Sequence, residues 1–401
     1  MKRDGNMKYK LRFALFFAGM ILFNLAASFA HPVTPTIIQD LHLPDYMFGL
    51  MLAAMQTSNF LFSPFWGKIN GTISSRMSLL ISCVGYGVAQ LFFACAQTQG
   101  AILLARTMAG IFVGGGFVSF LTYVVNTARP EDQARYLAYS ATIQAVGGAF
   151  GYLIGGVLGE FSIRGTFYLQ AGSLVASGIL FRLVCEPDND GTQMVSVKQI
   201  LRQSNPMGAI LDGRQFMNLS FALLFALNIL MNFANTGFDQ VFNYYLKDQL
   251  GLTSSYNGVI KAAVGIISFT SNMTLCMWIL RKTNIRRSMV VMAFFCTLTA
   301  VGTIVAPRIG SYIFFSVLVY ALYSVSLPLL QHMAAEQADP AQKNLVMGFY
   351  NATKSLGSIA GSLLVGFLYS VHVKLPFVVV AVCYGFALVA AVGYLLREKH
   401  R

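Results

Sequence analysis

Long apolar runs separated by short polar segments are the dominant pattern of the chain. A helix that crosses the hydrocarbon core of a bilayer needs about 20 mostly apolar residues. The runs therefore predict an all-α membrane protein with twelve transmembrane helices, at about 13–33, 46–66, 77–96, 101–126, 136–159, 166–185, 216–238, 256–280, 288–306, 310–335, 344–370 and 375–396.

Two repeated stretches relate the two halves of the chain. Gly147–Leu158 (GGAFGYLIGGVL) recurs 210 positions later as Gly357–Leu368 (GSIAGSLLVGFL), with five identities. Ile21–Ala26 matches Ile229–Ala234 at an offset of 208. The first helix thus has a counterpart in the seventh, which argues against the alternative that it is a cleaved signal peptide.

An even number of spans in each half makes the halves parallel repeats. The polar segment between them is the predicted linker. We expect an N-terminal six-helix bundle over 1–185, a cytoplasmic linker over 186–214 with a weak signal for a short interfacial helix at 195–201, and a C-terminal six-helix bundle over 215–401.

The composition agrees with lipid as the main solvent. Of the 401 residues, 56% are hydrophobic and only 11% are charged. Soluble globular chains carry about 25% charged residues. The chain therefore has too little charge to cover the surfaces of soluble domains.

The net charge of +13 could indicate nucleic-acid binding, but its distribution follows a membrane rule. Of the 28 Lys and Arg residues, 21 lie on the side of the two termini, four on the opposite side and three within helices. Lys and Arg accumulate on the cytoplasmic side of membrane proteins. We expect a multi-pass protein of the cell (inner or plasma) membrane with both termini cytoplasmic, no nucleic-acid partner and a monomeric state.

The sequence lacks the motifs of common enzymes and cofactor sites. Gly67 and Lys68 are followed by Ile69, so no phosphate-binding loop of the Walker type is formed. Neither HExxH nor GxSxG occurs, and the six cysteines show no metal-binding spacing. We expect neither enzyme activity nor a cofactor or metal.

Ionisable residues inside predicted spans are the candidates for chemistry, because each costs about 2.5–3.5 kcal/mol at the bilayer centre. Lys354 lies near the midplane, where the other half has Gln144. It could bind an anionic group or change its protonation, or form an ion pair within the bundle. Arg106 stays charged at working pH. It could hold a carboxylate, a substrate group or a carbonyl, or extend to the outer surface.

Asp239 and His31 occupy equivalent positions on the seventh and first helices. Either side chain can titrate, as a proton-coupled carrier requires, although both could simply be solvated at the outer mouth. For Lys261, Glu160, His332 and Glu336, a solvated helix end is the expectation.

Several uncharged polar side chains also fall within spans. Asn24, Asn232 and Gln144 should face the bundle interior, because an unpaired polar group in lipid is costly. Each could line a binding cavity or hold neighbouring helices together.

Over nearly its whole length the chain resembles the major facilitator superfamily of secondary transporters. Between helices 2 and 3 the family has G-x-x-x-D-R-x-G-R-R, of which only Gly67 and Arg76 are kept. Gly71 stands at the acidic position, so the resemblance does not carry over the cytoplasmic latch that this residue supports in the family.

The helix 4 motif R-x-x-x-G is kept as Arg106 and Gly110. In the family this arginine is tied to proton coupling, which the resemblance implies for Arg106. The helix 5 motif G-x-x-x-G-P-x-x-G-G is typical of drug and antiporter branches. Its glycines are kept as Gly147, Gly151, Gly155 and Gly156. Tyr152 replaces its proline, which weakens the case for export.

The sequence thus favours a secondary transporter that opens alternately to each side. We expect the glycine stretches, which include Gly357 and Gly361, to lie where the halves slide. The favoured function is proton-coupled efflux of a small amphiphilic or drug-like molecule. One alternative is proton-coupled uptake of an anionic metabolite bound by Lys354 and Arg106. A non-transporting membrane sensor or a lipid-handling protein is the alternative from another class.

Overall fold

A computed structural model describes residues 2–188, 200, 204–205, 207–208, 211, 213–339 and 342–399. The segment that could form the short interfacial helix lies mostly outside these residues. Within them the secondary structure is helical, and no strand occurs. The helices are α1 (Lys2–Ser28), α2 (Thr34–Asp40), α3 (Met47–Ile69), α4 (Ser75–Cys95), α5 (Gln99–Thr127), α6 (Pro130–Phe161), α7 (Ile163–Val184), α8 (Leu219–Asp248), α9 (Ser254–Ser271), α10 (Met277–Lys282), α11 (Ile285–Val305), α12 (Ile309–Gln337), α13 (Lys343–Val371) and α14 (Leu375–Lys399).

Eleven helical stretches in the described part of the chain are long and apolar enough to cross a membrane. One of them is continuous from α9 through a π-helical segment, Asn272–Cys276, to α10. The second predicted span corresponds to α3, which is not one of these eleven stretches. It has 23 residues, but the polar run 56–59 lowers its apolar character. The prediction of an all-α protein built from apolar helices is confirmed.

The helix ends differ from the predicted span ends for local reasons. The fifth predicted span begins at 136, whereas α6 begins at Pro130 and runs for 32 residues. Proline suits the first turn of a helix, and Glu131 and Asp132 in that turn complement the helix dipole. Such a polar first turn extends the helix beyond its apolar part.

The chain divides into two compact units. The first unit comprises Met1–Ile37, Thr57–Pro206 and Thr253–Gly265, and the second comprises Ile38–Gln56, Met207–Leu252 and Ile266–Arg401. The first part of α9 therefore belongs to the first unit and its remainder to the second unit. For α3 the first part belongs to the second unit and the remainder to the first.

Aromatic side chains fill the core of each unit. In the first unit, Phe181 of α7 packs against Phe16 of α1 and Phe120 of α5, with ring centroids 5.7 and 5.4 Å apart. In the second unit, Phe238 of α8 packs against Tyr320 of α12 at 5.4 Å. Burial of such large rings dominates the energetics of a core.

The two sequence repeats meet each other in space, once in each unit. A Cβ atom added to Gly147 of α6 would lie 2.9 Å from Cβ of Asn24 on α1. At the equivalent place, a Cβ atom on Gly357 of α13 would lie 3.2 Å from Cβ of Asn232 on α8. The glycines are thus required for close helix contact, and the contact itself is duplicated.

The next helical turn repeats this correspondence. Gly151 and Gly361 pack against the carbonyl oxygens of Leu25 and Phe233, respectively. Gly155 continues the row against the backbone of Phe29, which directly follows α1.

The last glycine of each stretch faces a different helix. A Cβ atom on Gly156 would lie 3.2 Å from Cα of Gly258 at the start of α9. One on Gly366 would lie 3.2 Å from Cα of Gly49 at the start of α3. That the stretches lie where the halves slide stays a prediction. We expect it for the contacts of Gly156 and Gly366, because the other glycines pack close to α1 or α8.

Candidate functional site

Arg106 is the most deeply buried charged group of the first unit among the described residues. It lies two turns into α5, whose first turn is capped by Thr98, and only 4% of its side chain is exposed. Its Nη2 atom donates a hydrogen bond to Oγ1 of Thr34 at 3.2 Å. The guanidinium carbon lies 3.9 Å from the ring centroid of Phe93. The side chain is therefore held inside the unit and does not extend to the surface.

The surroundings of Arg106 are polar and aromatic. Within the described part of the chain no carboxylate is paired with it. Tyr86 and Tyr152 are close enough to interact with it electrostatically. A permanent charge that is balanced only by a hydroxyl, an aromatic face and phenols attracts an additional anionic group.

Tyr152, the residue at the proline position of the helix 5 motif, is surrounded by basic groups. The His31 ring stacks on the Tyr152 ring at 5.3 Å with an interplanar angle of 8°. Nζ of Lys261 on α9 lies 5.6 Å from the same ring centroid. Tyr152 thus links the environments of His31, Lys261 and Arg106, a role that its sequence motif did not indicate.

The expectation of solvated helix ends is correct for three residues and wrong for one. Glu160, His332 and Glu336 are exposed. Lys261 is only 6% exposed, because the first part of α9 packs closely against α6 around Gly258. Its distance from the start of the helix was therefore a poor guide to its environment.

In the second unit, Lys354 lies half-buried on α13. It forms no ion pair with a carboxylate in the described ranges, so the alternative of an ion pair within the bundle is not what the structure shows. Its neighbour Thr353 accepts a hydrogen bond from Nδ2 of Asn228 at 3.0 Å. Asn228 was not singled out from the sequence, although it precedes Asn232 by one helical turn.

Asn232 belongs to the same buried network. Its Nδ2 atom donates to the carbonyl oxygen of Asn228 at 2.8 Å, and its Oδ1 atom accepts from the Tyr323 hydroxyl at 2.7 Å. Asn24, the equivalent residue in the first unit, donates to the carbonyl oxygen of Met20 at 2.8 Å. Both asparagines therefore donate to a carbonyl of their own helix, and Asn232 also accepts from a neighbouring helix, which Asn24 does not do within the described residues.

The remaining predicted residues lie on α8, α6 and α5. Asp239 is half-buried on α8, where Nε2 of Gln240 donates to its Oδ2 at 3.4 Å. Gln144 is half-buried on α6, three residues before Gly147, and Gly110 is buried on α5.

The loop between α3 and α4 differs from the family pattern in an informative way. Gly67 is exposed with open space around it, and Nη1 of Arg76 donates to the carbonyl oxygen of Cys185 at 3.5 Å. Asp188, at the start of the predicted linker, accepts from the backbone N–H of Ser75 at 2.7 Å and from Nδ2 of Asn126 at 3.0 Å. A carboxylate, that of Asp188, therefore lies at the start of α4, although the acidic position of the family motif is occupied by Gly71.

The apolar spans, the duplicated helix contacts and the cations within spans, buried at Arg106 and half-buried at Lys354, are features of a membrane transporter. Residues 15–327 and 298–401 match the Major Facilitator Superfamily, so the chain belongs to this family. It is therefore a multi-pass membrane transporter for small molecules and not an enzyme.

Relatives of known sequence span the whole chain. The quinolone resistance protein NorA of Staphylococcus aureus is 22% identical over 402 residues, which cover 97% of each chain. Multidrug resistance protein 2 of Bacillus subtilis (strain 168) is 18% identical over 401 residues, which cover 100% of this chain and 98% of that protein. The motif pattern that resembles drug–proton antiporters is consistent with these relatives.

Solved structures of transporters share the fold. A bacterial homologue of the human lysosomal transporter Spinster superposes with a TM-score of 0.75 at 12% identity over 96% of each chain. The nucleoside transporter NupG superposes with a TM-score of 0.74 at 15% identity, over 98% of this chain and 100% of its own. At such identities the similarity shows the fold alone.

Proposed function

We propose that this transporter exports amphiphilic organic compounds in exchange for protons. The full-length similarity to a quinolone resistance protein and a multidrug resistance protein supports this choice of substrate and direction. The many Phe and Met residues, 33 and 18 in number, suit compounds with a large apolar part.

The observation that carries the proposal is the environment of Arg106. Arg106 is buried and has no paired carboxylate among the described residues, and a guanidinium keeps its proton at working pH because of its high intrinsic basicity. In the proposal it keeps a fixed positive charge beside the transport path. Asp239 and His31 are proposed as the groups that bind and release the transported proton, since carboxyl and imidazole side chains are able to do so.

Coupling follows if the proton and the substrate compete. Release of a proton from Asp239 leaves a carboxylate that favours a cationic or polar substrate group, and protonation removes that attraction. Substrate and proton then leave and enter the site alternately, as exchange requires. The glycine contacts at Gly156 and Gly366 are proposed as the places where the helices move during the cycle.

A second candidate function is proton-coupled uptake of an anionic metabolite. It is favoured by Arg106, which is buried, and by Lys354, which is half-buried. Neither cation has a carboxylate partner among the described residues. Either cation would then bind the negative group of the substrate directly.

Everted membrane vesicles distinguish the two functions. Respiration acidifies the vesicle lumen, and the fluorescence of acridine orange reports that acidity. Addition of a fluoroquinolone to the outside should make the lumen less acidic in vesicles that contain the protein, because protons leave as the compound enters. Vesicles without the protein are the control. If the lumen becomes less acidic only when it has been preloaded with an anionic metabolite, the uptake function replaces export.

A further inference from the structure

A cavity of about 160 Å³ lies in the second unit, at the start of α12. One water needs roughly 10–15 Å³ of such space, so the cavity can hold part of an organic molecule. Its lining comes from the end of α8, the connection between α11 and α12, and the connection between α13 and α14. Tyr245 lies on the same helix as Asn232 but about 20 Å further along its axis, at a rise of about 1.5 Å per residue.

Three aromatic rings form one wall of the cavity. Tyr245, Tyr312 and Phe377 line it, and each ring contacts the other two. The centroid distances are 5.2 Å between Tyr245 and Tyr312, 5.3 Å between Tyr245 and Phe377, and 5.9 Å between Tyr312 and Phe377. Tyr312 and Phe377 are buried and Phe377 packs edge to face on both tyrosines, so the three rings form a fixed aromatic cluster against which another ring can pack.

Two cationic side chains line the same cavity. Arg308 directly precedes α12, and Lys374 directly precedes α14. Both are exposed, and neither is paired with a carboxylate in the part of the chain that the structure describes. The short turn that carries Lys374 is ordered by its own backbone N–H, which donates to Nδ1 of His372 at 3.2 Å.

The positions of these two cations are unusual for this chain. Only Arg164, Lys247, Arg308 and Lys374 lie on the predicted non-cytoplasmic side, where Lys and Arg are rare. Two of the four line one cavity. The first turn of α12 adds backbone N–H groups that have no acceptor within the helix, together with the positive end of its dipole.

We propose that this cavity binds small aromatic anions, with the ring against Tyr245, Tyr312 and Phe377 and the anionic group at Arg308 and Lys374. Aromatic walls alone would also accept an organic cation. The two rim cations and the start of the helix repel that class of ligand and attract a carboxylate or phosphate.

The same anionic chemistry has two sources, a free aromatic acid or the phosphate of a lipid headgroup. A free acid would use the rings fully, whereas a lipid would place its phosphate at the cations and leave the ring wall to its glycerol and acyl part. Binding of a free aromatic acid is the form proposed here.

The test uses the purified full-length protein in detergent, with benzoate and phenylphosphonate as probes. Benzamide has the same ring without the charge and is the control ligand. The proposal expects the two anions to raise the unfolding temperature with saturation and to give saturation-transfer NMR signals, while benzamide does neither at equal concentration. Arg308→Gln and Lys374→Gln should each raise the benzoate Kd roughly fivefold, and the double variant at least about tenfold.

Arg164→Gln is the matched variant, because Arg164 is exposed on the same predicted side but lies outside the cavity. Its benzoate Kd should stay unchanged. Phe377→Leu, which keeps both cations, should weaken benzoate binding and leave inorganic phosphate binding unaffected. Unfolding temperatures without ligand identify any variant that fails to fold.

Two results would overturn the proposal. One is equal binding of benzoate and benzamide, and the other is a benzoate Kd that the double variant leaves unchanged. Nanodiscs of phosphatidylcholine with and without phosphatidylglycerol separate the sources. Undiminished benzoate binding in both compositions supports the free acid, whereas its loss with phosphatidylglycerol rejects the free acid in favour of the lipid.

Discussion

At the scale of single residues, Arg106 combines a permanent charge, burial and weak neutralisation. The cost of a charge in lipid made it a candidate from the sequence, and the structure places it in the interior beside Thr34 and Phe93. Its partners were not predictable, because Thr34 lies on α2, a short helix that the apolar pattern does not contain.

Replacement of Arg106 by lysine tests whether its shape matters in addition to its charge. A lysine ammonium cannot both stack as a plane on Phe93 and reach Thr34. We expect Arg106→Lys to lower the export rate by roughly tenfold and Arg106→Gln by more, which corresponds to the loss of one or two charge-assisted interactions. Transport by everted vesicles measures this, with Arg164→Gln as the control.

An Arg106→Lys protein with full activity would show that only the charge is needed. An equal fall in Arg164→Gln would show a general effect of lost positive charge.

Lys261 shows where sequence reasoning at this scale fails. Its position close to the start of a helix predicted solvent contact, but the glycine contact between α6 and α9 buries it. Tyr152 shows the same limit. As a substitution in a motif it indicated only a lost proline, whereas three basic residues from separate segments surround it.

At the scale of helices, the duplicated glycine contacts are the strongest link between sequence and structure. The repeat itself was visible as two offsets of 208 and 210. The spacing also indicated close helix packing. Which helix each glycine contacts depends on tertiary packing, so only the structure distinguishes Gly156 from Gly147, Gly151 and Gly155.

Small substitutions test these contacts. Gly156→Ala and Gly366→Ala each place a methyl group against the backbone of the neighbouring helix. We expect each to destabilise the protein by about 1–3 kcal/mol, as overpacking does. Gly172→Ala is the control, since a Cβ atom there would meet open space. Thermal unfolding in detergent measures the difference, and equal unfolding temperatures for all three variants would contradict the close contact.

Asp188 is a second feature at this scale. It accepts hydrogen bonds at the first residue of α4 and from Asn126, and a carboxylate at a helix N-terminus is favourable. The sequence could not indicate this, because the linker composition showed only a polar segment.

We expect Asp188→Ala to cost about 1 kcal/mol of stability, and Asp188→Asn to cost less because its amide oxygen still accepts. Denaturation of the purified variants checks the order. Asp339→Asn, at an exposed position after α12, should match the unchanged protein. Equal stability of Asp188→Ala and Asp339→Asn would show that the contact contributes nothing.

At the scale of the whole molecule, the length and number of apolar runs were sufficient to predict an all-α membrane protein, and the motifs at Arg106 and Gly147 added the resemblance to its family. The assignment of helix parts to compact units was not predictable. The first part of α3 and the first part of α9 each belong to one unit while the rest of the same helix belongs to the other. The local sequence contains no signal for this division.

The predicted orientation is testable as a property of the whole chain. Green fluorescent protein fused to either terminus should fluoresce, because it folds in the cytoplasm, and alkaline phosphatase fused there should be inactive. Both outcomes follow from the excess of Lys and Arg on the side of the termini. An active phosphatase at one terminus would mean an odd number of spans, and at both termini an inverted protein.

The central claim, proton-coupled export, is tested most directly in proteoliposomes that contain the purified protein and a pH gradient. A fluoroquinolone should accumulate in liposomes with an acidic lumen, and collapse of the gradient should abolish accumulation. Asp239→Asn should still exchange the compound across the membrane at equal pH but should lose accumulation driven by the gradient. Accumulation that does not depend on the gradient, or that Asp239→Asn leaves intact, would contradict the account.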